Sequence, residues 1–257
     1  MQTRLPPRLD DRVLERRHAR VLVVGVGGLG CPAALALAVA GVGTLGLCDD
    51  DAVELTNLHR QILFGERDVG CPKVEAAARA IGAVAGRSRH GPQVVVHPTR
   101  LLPDNAVERV GGYDIVLEGS DNFATKFLAA DACALAGVPI VHAAAVRWVG
   151  TALAVGAAGQ PCYRCLFEDV PAGPDAPNCA DAGVMGPVVG LIAAVQVDLA
   201  LAILDGRDVA GQLARFDGRT GELRRSVLRR RPGCPLCGDA PAIRRIQAET
   251  YVAPACA

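Results

Sequence analysis

A short apolar run, Arg20-Val21-Leu22-Val23-Val24, leads straight into Gly25-Val26-Gly27-Gly28-Leu29-Gly30, and an Ala/Leu-rich stretch follows over residues 31–40. Strand, glycine turn and helix in that order open a βαβ unit, which commits the chain to a parallel sheet. The alternation continues. Strands are expected at Thr44–Cys48, Gln93–His97, 113–117 and 139–141, with helices at 74–85 and Phe123–Ala136 between them. Apolar strands separated by helices indicate a sheet covered on both faces, with ligands at the carboxyl ends of its strands. After about residue 143 the pattern changes. A strand at 151–155, a Pro/Asp/Ala/Gly-rich loop at 168–182, an apolar helix to Leu204 and a hairpin over 215–228 are expected. The expected fold is α/β: a Rossmann-like, mostly parallel sheet with helices on both faces, extended by a C-terminal β-rich part.

Two matched cysteine pairs, Cys162-Tyr-Arg-Cys165 and Cys234-Pro-Leu-Cys237, lie 68 residues apart. Thiolates in two such pairs hold one tetrahedral zinc ion between two knuckles, and four thiolates leave no open coordination position, so the metal would be structural. Buried free thiols or disulfides are the alternatives. The spacing would pin the tail onto the middle of the chain. It argues for one domain over 1–257, with a nucleotide-binding half at 19–143 and a second half at 144–238.

Lys plus Arg and Asp plus Glu are both 27, so nothing in the charge points to nucleic acid or an anionic membrane. One Trp and three Tyr leave little for a base-stacking surface. The most apolar stretch, 184–204, is interrupted by Pro187 and Asp198 and reads as a buried core helix rather than a membrane span. Ten cysteines behind an N-terminal segment with no apolar stretch for secretion fit a reducing, cytoplasmic location.

In the glycine loop, Gly25, Gly27, Gly28 and Gly30 would let backbone approach a phosphate, with helix amides receiving its charge. Asp49 occupies the slot for a ribose hydroxyl at the end of the second strand, where Asp50 and Asp51 follow. That much suits a nicotinamide enzyme. Arg60, in Asn57-Leu58-His59-Arg60-Gln61, and Lys73, behind Gly70-Cys71-Pro72, change the reading. Two fixed cations suit a triphosphate, although each alone could be a solvated surface charge. Asp121, in Glu118-Gly119-Ser120-Asp121-Asn122, follows a strand and would hold magnesium against phosphates; capping of the next helix by Asp121 or Asn122 is the plainer role.

In order, GVGGLG, DDDAVELTNLHRQ, VGCPK, GSDN, CYRC, NCADAGVMGP and CPLC resemble the ThiF/MoeB/HesA family, ubiquitin-activating-like adenylyltransferases that serve sulfur-carrier proteins. The likeness runs from about Ala19 to Gly238. It implies ATP contacts from Gly28, Asp49, Thr56, Asn57, Arg60, Gln61 and Lys73, with Asp51 beside them, magnesium at Asp121 with Asn122 adjacent, and zinc on the four paired cysteines. It also implies a small ubiquitin-fold sulfur-carrier protein with a Gly-Gly tail as substrate, and a homodimer. Cys179 matches a cysteine that can take part in sulfur or acyl transfer; an idle small residue is the alternative.

Three departures shape the expectations. The family's N-terminal arginine, offered to the partner subunit's phosphates, would be replaced by Arg4, Arg8 or Arg12, or be missing. With no rhodanese-like segment after Gly238, sulfur is expected from a separate sulfurtransferase or cysteine desulfurase. Glu118 stands where the family commonly has Asp. The competing expectations are an NAD-dependent oxidoreductase and a non-catalytic carrier-binding module of the same fold.

Overall fold

The computed structural model describes residues 16–85, 91–169 and 183–251. Among them, one eight-stranded sheet runs in the order β3-β2-β1-β4-β5-β6-β7-β8. The strands are β1 (Arg20–Val24), β2 (Thr44–Cys48), β3 (Gln93–His97), β4 (Ile115–Glu118), β5 (Ile140–Val146), β6 (Val149–Val155), β7 (Gln212–Asp217) and β8 (Glu222–Val227). From β3 to β5 all neighbours are parallel; from β5 onward they are antiparallel.

The parallel strands are apolar at consecutive positions because both faces are covered. Val21 and Val23 enter the core formed with α1 (Gly30–Val39), α2 (Lys73–Ala85) and α6 (Gly186–Leu204). Leu22 and Val24 enter the opposite core, with α3 (Ala106–Gly111), α4 (Phe123–Ala136) and the single turn α5 (Tyr163–Leu166). At the other end β8, Glu-Leu-Arg-Arg-Ser-Val, is exposed along its whole length and closes the sheet as a polar edge.

The register sets the position of the site. Val24 pairs with Cys48 on one side and Glu118 on the other, so β1, β2 and β4 end on one line. The chain leaves β1 toward β2 and later returns to β4 on the other side, so the sheet order reverses there and the helices part into a crevice.

Several expected boundaries shift for local reasons. The apolar helix starts at Gly186, with Pro187 in its first turn where a missing N–H is harmless. By length and composition α6 could cross a bilayer, but much of it is buried against α1, β5 and β6. β5 continues to Val146 because it pairs with β6 through a two-residue turn at Arg147-Trp148, where Arg147 has φ 54°. The hairpin over β7 and β8 forms around Asp217–Glu222 as expected. The short α3 was not expected from the sequence.

Candidate nucleotide site and thiol cluster

The glycine loop is packed too closely for side chains at two points. Gly25 has φ 84°, and a Cβ there would lie 2.9 Å from the Ser120 nitrogen. A Cβ on Gly30 would overlap the Gly25 carbonyl oxygen. Gly30 therefore lets α1 start directly against the loop, and it stands behind the cleft rather than in its lining. The loop itself, with Gly25, Gly27 and Gly28, forms the floor of a cleft of about 600 Å³.

The acids at the end of β2 hold this loop and one of the cations. Asp49 Oδ2 accepts from the Val26 N–H at 2.7 Å, and Oδ1 from the Asp51 N–H at 2.9 Å. Burial pushes the Asp49 carboxyl up, while Lys73 and these N–H donors pull against the shift. Lys73 opens α2, is buried, and reaches Asp51 Oδ2 at 2.7 Å. Arg60 donates to Asn57 Oδ1 at 2.7 Å and has no carboxylate within ion-pair range among the described residues. Its stem lies 3.3 Å from where a Cβ on Gly28 would sit, over the loop. Thr56, Asn57 and Gln61 share the same wall. Gln61 is buried and its Oε1 has no hydrogen-bond partner among the described residues.

The turn after β4 brings Asp121 and Asn122 into the same cleft lining. Asn122 Oδ1 accepts from the Thr125 N–H at 2.7 Å, so Asn122 is the cap of α4. Asp121 is left exposed in the cleft lining with no hydrogen bond or ion pair among the described residues. A free carboxylate just past the carboxyl end of a strand, in the cleft that also holds Arg60 and Lys73, fits a divalent ion carried by a polyphosphate. Of the two roles anticipated for this pair, the helix cap falls to Asn122. Lys126, Thr125, Glu54 and Arg100 also line the cleft. The sequence offered no motif for them; Lys126 in particular reads as an ordinary helix charge until the fold buries it.

The thiols of Cys162, Cys165, Cys234 and Cys237 all lie within 4.8 Å of one another. Sγ–Sγ separations of 3.9, 3.5 and 3.4 Å are far too long for disulfides and suit a tetrahedron of bonds near 2.3 Å. The donor set therefore fits zinc and fills all four positions. Arg164, inside the first knuckle, bonds buried Asp131 of α4 at 2.9–3.1 Å, and Tyr251 OH bonds the same carboxylate at 2.7 Å. Arg231, ahead of the second knuckle, donates to the Arg164 carbonyl at 2.9 Å. Cys179 lies outside the described residues, as do Arg4, Arg8 and Arg12.

Comparison with known proteins gives the family. A model described as the ThiF family matches residues 2–236. The mouse protein named adenylyltransferase and sulfurtransferase MOCS3 is 45% identical over 232 residues, which is 89% of this chain and 50% of the mouse chain. Its Aedes aegypti namesake is 40% identical over 236 residues, 91% of this chain and 53% of the other. This chain thus spans about half the length of the curated relatives it matches. The crystal structure of E. coli MccB with MccA-N7isoASN superposes with a TM-score of 0.77 at 23% identity over 91% of this chain and 70% of that one, a likeness of fold. With the matched model covering both the glycine cleft and most of the thiol cluster, the chain belongs to the ThiF family.

Proposed function

We infer that this chain adenylates the C-terminal glycine carboxylate of a small ubiquitin-fold sulfur-carrier protein, using ATP, and so prepares it for sulfur transfer in thiamine, molybdopterin or related sulfur-metabolite synthesis. The observation that carries the reading is one cleft that brings together the loop glycines, Arg60, Lys73 and the Asp121 carboxylate. In the reaction, a carboxylate oxygen of the tail bonds to the α-phosphorus of ATP. The α–β phosphoanhydride breaks, pyrophosphate leaves with the electron pair, and an acyl-adenylate remains. Such a step needs positioning and charge compensation rather than a protein nucleophile.

The residues divide the work. The loop glycines and the start of α1 receive phosphate, and Asp49 faces the ribose. Thr56, Asn57 and Gln61 shape the wall beside it. Arg60 and Lys73 offset charge on the phosphates, Asp51 holding Lys73 in place. Asp121 would ligate magnesium, which when bound supplies further charge compensation at the phosphates. Cys179 would act after adenylation, in sulfur or acyl transfer. Zinc on the paired cysteines is structural, and reduced thiols suit a cytoplasmic setting. A homodimer is the working assembly, with sulfur supplied by a separate sulfurtransferase or cysteine desulfurase. A nicotinamide enzyme would leave Lys73 and the thiol cluster without roles.

The test is pyrophosphate–ATP exchange with magnesium and a Gly-Gly-tailed carrier. Exchange that depends on the carrier is expected. A chain that binds ATP but exchanges with no carrier tried would overturn the reading.

A further inference from the structure

The side chain of Glu118 is fully buried at the carboxyl end of β4, three positions before Asp121. Its Oε1 accepts from the Ser120 N–H at 2.7 Å and the Ser120 hydroxyl at 2.5 Å. Its Oε2 accepts from Lys126 Nζ at 2.8 Å and faces His142 Nδ1 at 3.3 Å. Lys126 also donates to the Ala143 carbonyl at 2.7 Å. Gln196 of α6 donates to the carbonyls of Glu118 and Val141 at 3.0 and 2.8 Å. A polar network from β4, α4, β5 and α6 thus converges under one turn, residues 119–122.

Burying an ion pair is a poor route to stability, because desolvation of both charges offsets their attraction. The geometry suggests another use. Asp121 has no partner of its own among the described residues, so only the backbone of the turn fixes the point from which its carboxylate reaches into the cleft. That backbone is held by the two bonds from Ser120 to Glu118. We propose that Glu118, backed by Lys126, is a positioning residue that aims Asp121 at the divalent cation of a bound nucleoside triphosphate. The identity of this ligand rests on the adenylyltransferase reading.

The test uses the full chain with its zinc. Manganese binding in the presence of a non-hydrolysable ATP analogue is followed by electron paramagnetic resonance, beside carrier-dependent exchange. Ser120→Ala removes the hydroxyl arm and Glu118→Gln removes the charge. Loss of a group that orients a metal ligand weakens metal affinity about tenfold or more, and that drop is expected for Glu118→Gln, with a smaller one for Ser120→Ala. Nucleotide affinity without the metal should stay unchanged. In an Asp121→Ala background, Glu118→Gln should weaken manganese binding no further, because both act through the same carboxylate. Unchanged manganese affinity in both folded single variants overturns the proposal, as does a full additional loss in the Asp121→Ala background. If Glu118→Gln does not fold, Ser120→Ala decides alone. Intact manganese–nucleotide binding without exchange by the unmodified chain would overturn the adenylation reading and leave the positioning claim to stand on its own measurement.

Discussion

Lys73 is a buried cation whose carboxylate partner, Asp51, is itself 56% exposed. A cation so placed is poorly compensated from inside the protein and available to a ligand's negative charge. Lys73→Ala is therefore expected to lower the exchange rate by about a hundredfold or more, on the scale seen for removing a group that stabilises developing charge, and Arg60→Ala likewise. Exchange kinetics check both; a loss of only a few-fold would place these residues outside the chemistry. Thiol reactivity is another property of single residues. Burial pushes Cys31 up to about 12 and Cys48 up to about 11, so neither supplies thiolate near neutrality. Mass spectrometry after brief alkylation of the folded protein should find both unmodified. Glu118 shows the opposite shift. Burial alone would raise it, but Lys126 and His142 hold it at about 2, below an ordinary value of 4.5. A lowered folded value means its contribution is present above about 4.5 and is lost as pH falls toward about 2. Urea midpoints across the acid range should fall more steeply in the unmodified chain than in Glu118→Gln.

Among the elements, the strand–glycine–helix unit shows how far local sequence reaches. Gly25 and Gly30 were legible as glycines of a strand-to-helix loop, yet the clash a Gly30 side chain would make with the Gly25 carbonyl exists only once α1 meets β1. Gly30→Ala is expected to cost about 3 kcal/mol by overpacking and to abolish nucleotide binding; denaturant unfolding and a binding titration read the two effects. The cap of α4 behaves more simply. Asn122→Ala should cost about 1 kcal/mol while Asn122→Asp keeps the acceptor and most of the stability, as thermal unfolding would show. Strand β5 was legible only at its start. Its extension and the turn at Arg147-Trp148 carry none of the Gly, Asn or Asp signals of a tight hairpin, so only the partner strand β6 reveals them.

For the molecule as a whole, the thiol cluster fastens two segments far apart in the chain. It joins the segment after β6 to the segment after β8, and the buried Asp131–Arg164–Tyr251 network ties both to α4. Stripping the metal with a chelator, or making Cys234→Ser, should lower the melting temperature and loosen the tail, with one zinc per chain lost in elemental analysis. Arg164→Met should be severe even with zinc retained, about 3 kcal/mol or more, because Asp131 would remain buried without its charge partner.

The alternation of strands and helices, the glycine turn, the acids after β2, the two cations and the spaced cysteine pairs are all local patterns, and local patterns are what a linear sequence determines. Which carboxylate after β4 is sealed and which is free was decided only in three dimensions. Glu118 and Asp121 are near neighbours of the same chemical type, but one meets Lys126, His142 and Ser120 in the interior and the other faces the cleft. Their difference comes from desolvation and from partners contributed by α4 and β5, whose positions depend on how the whole sheet closes.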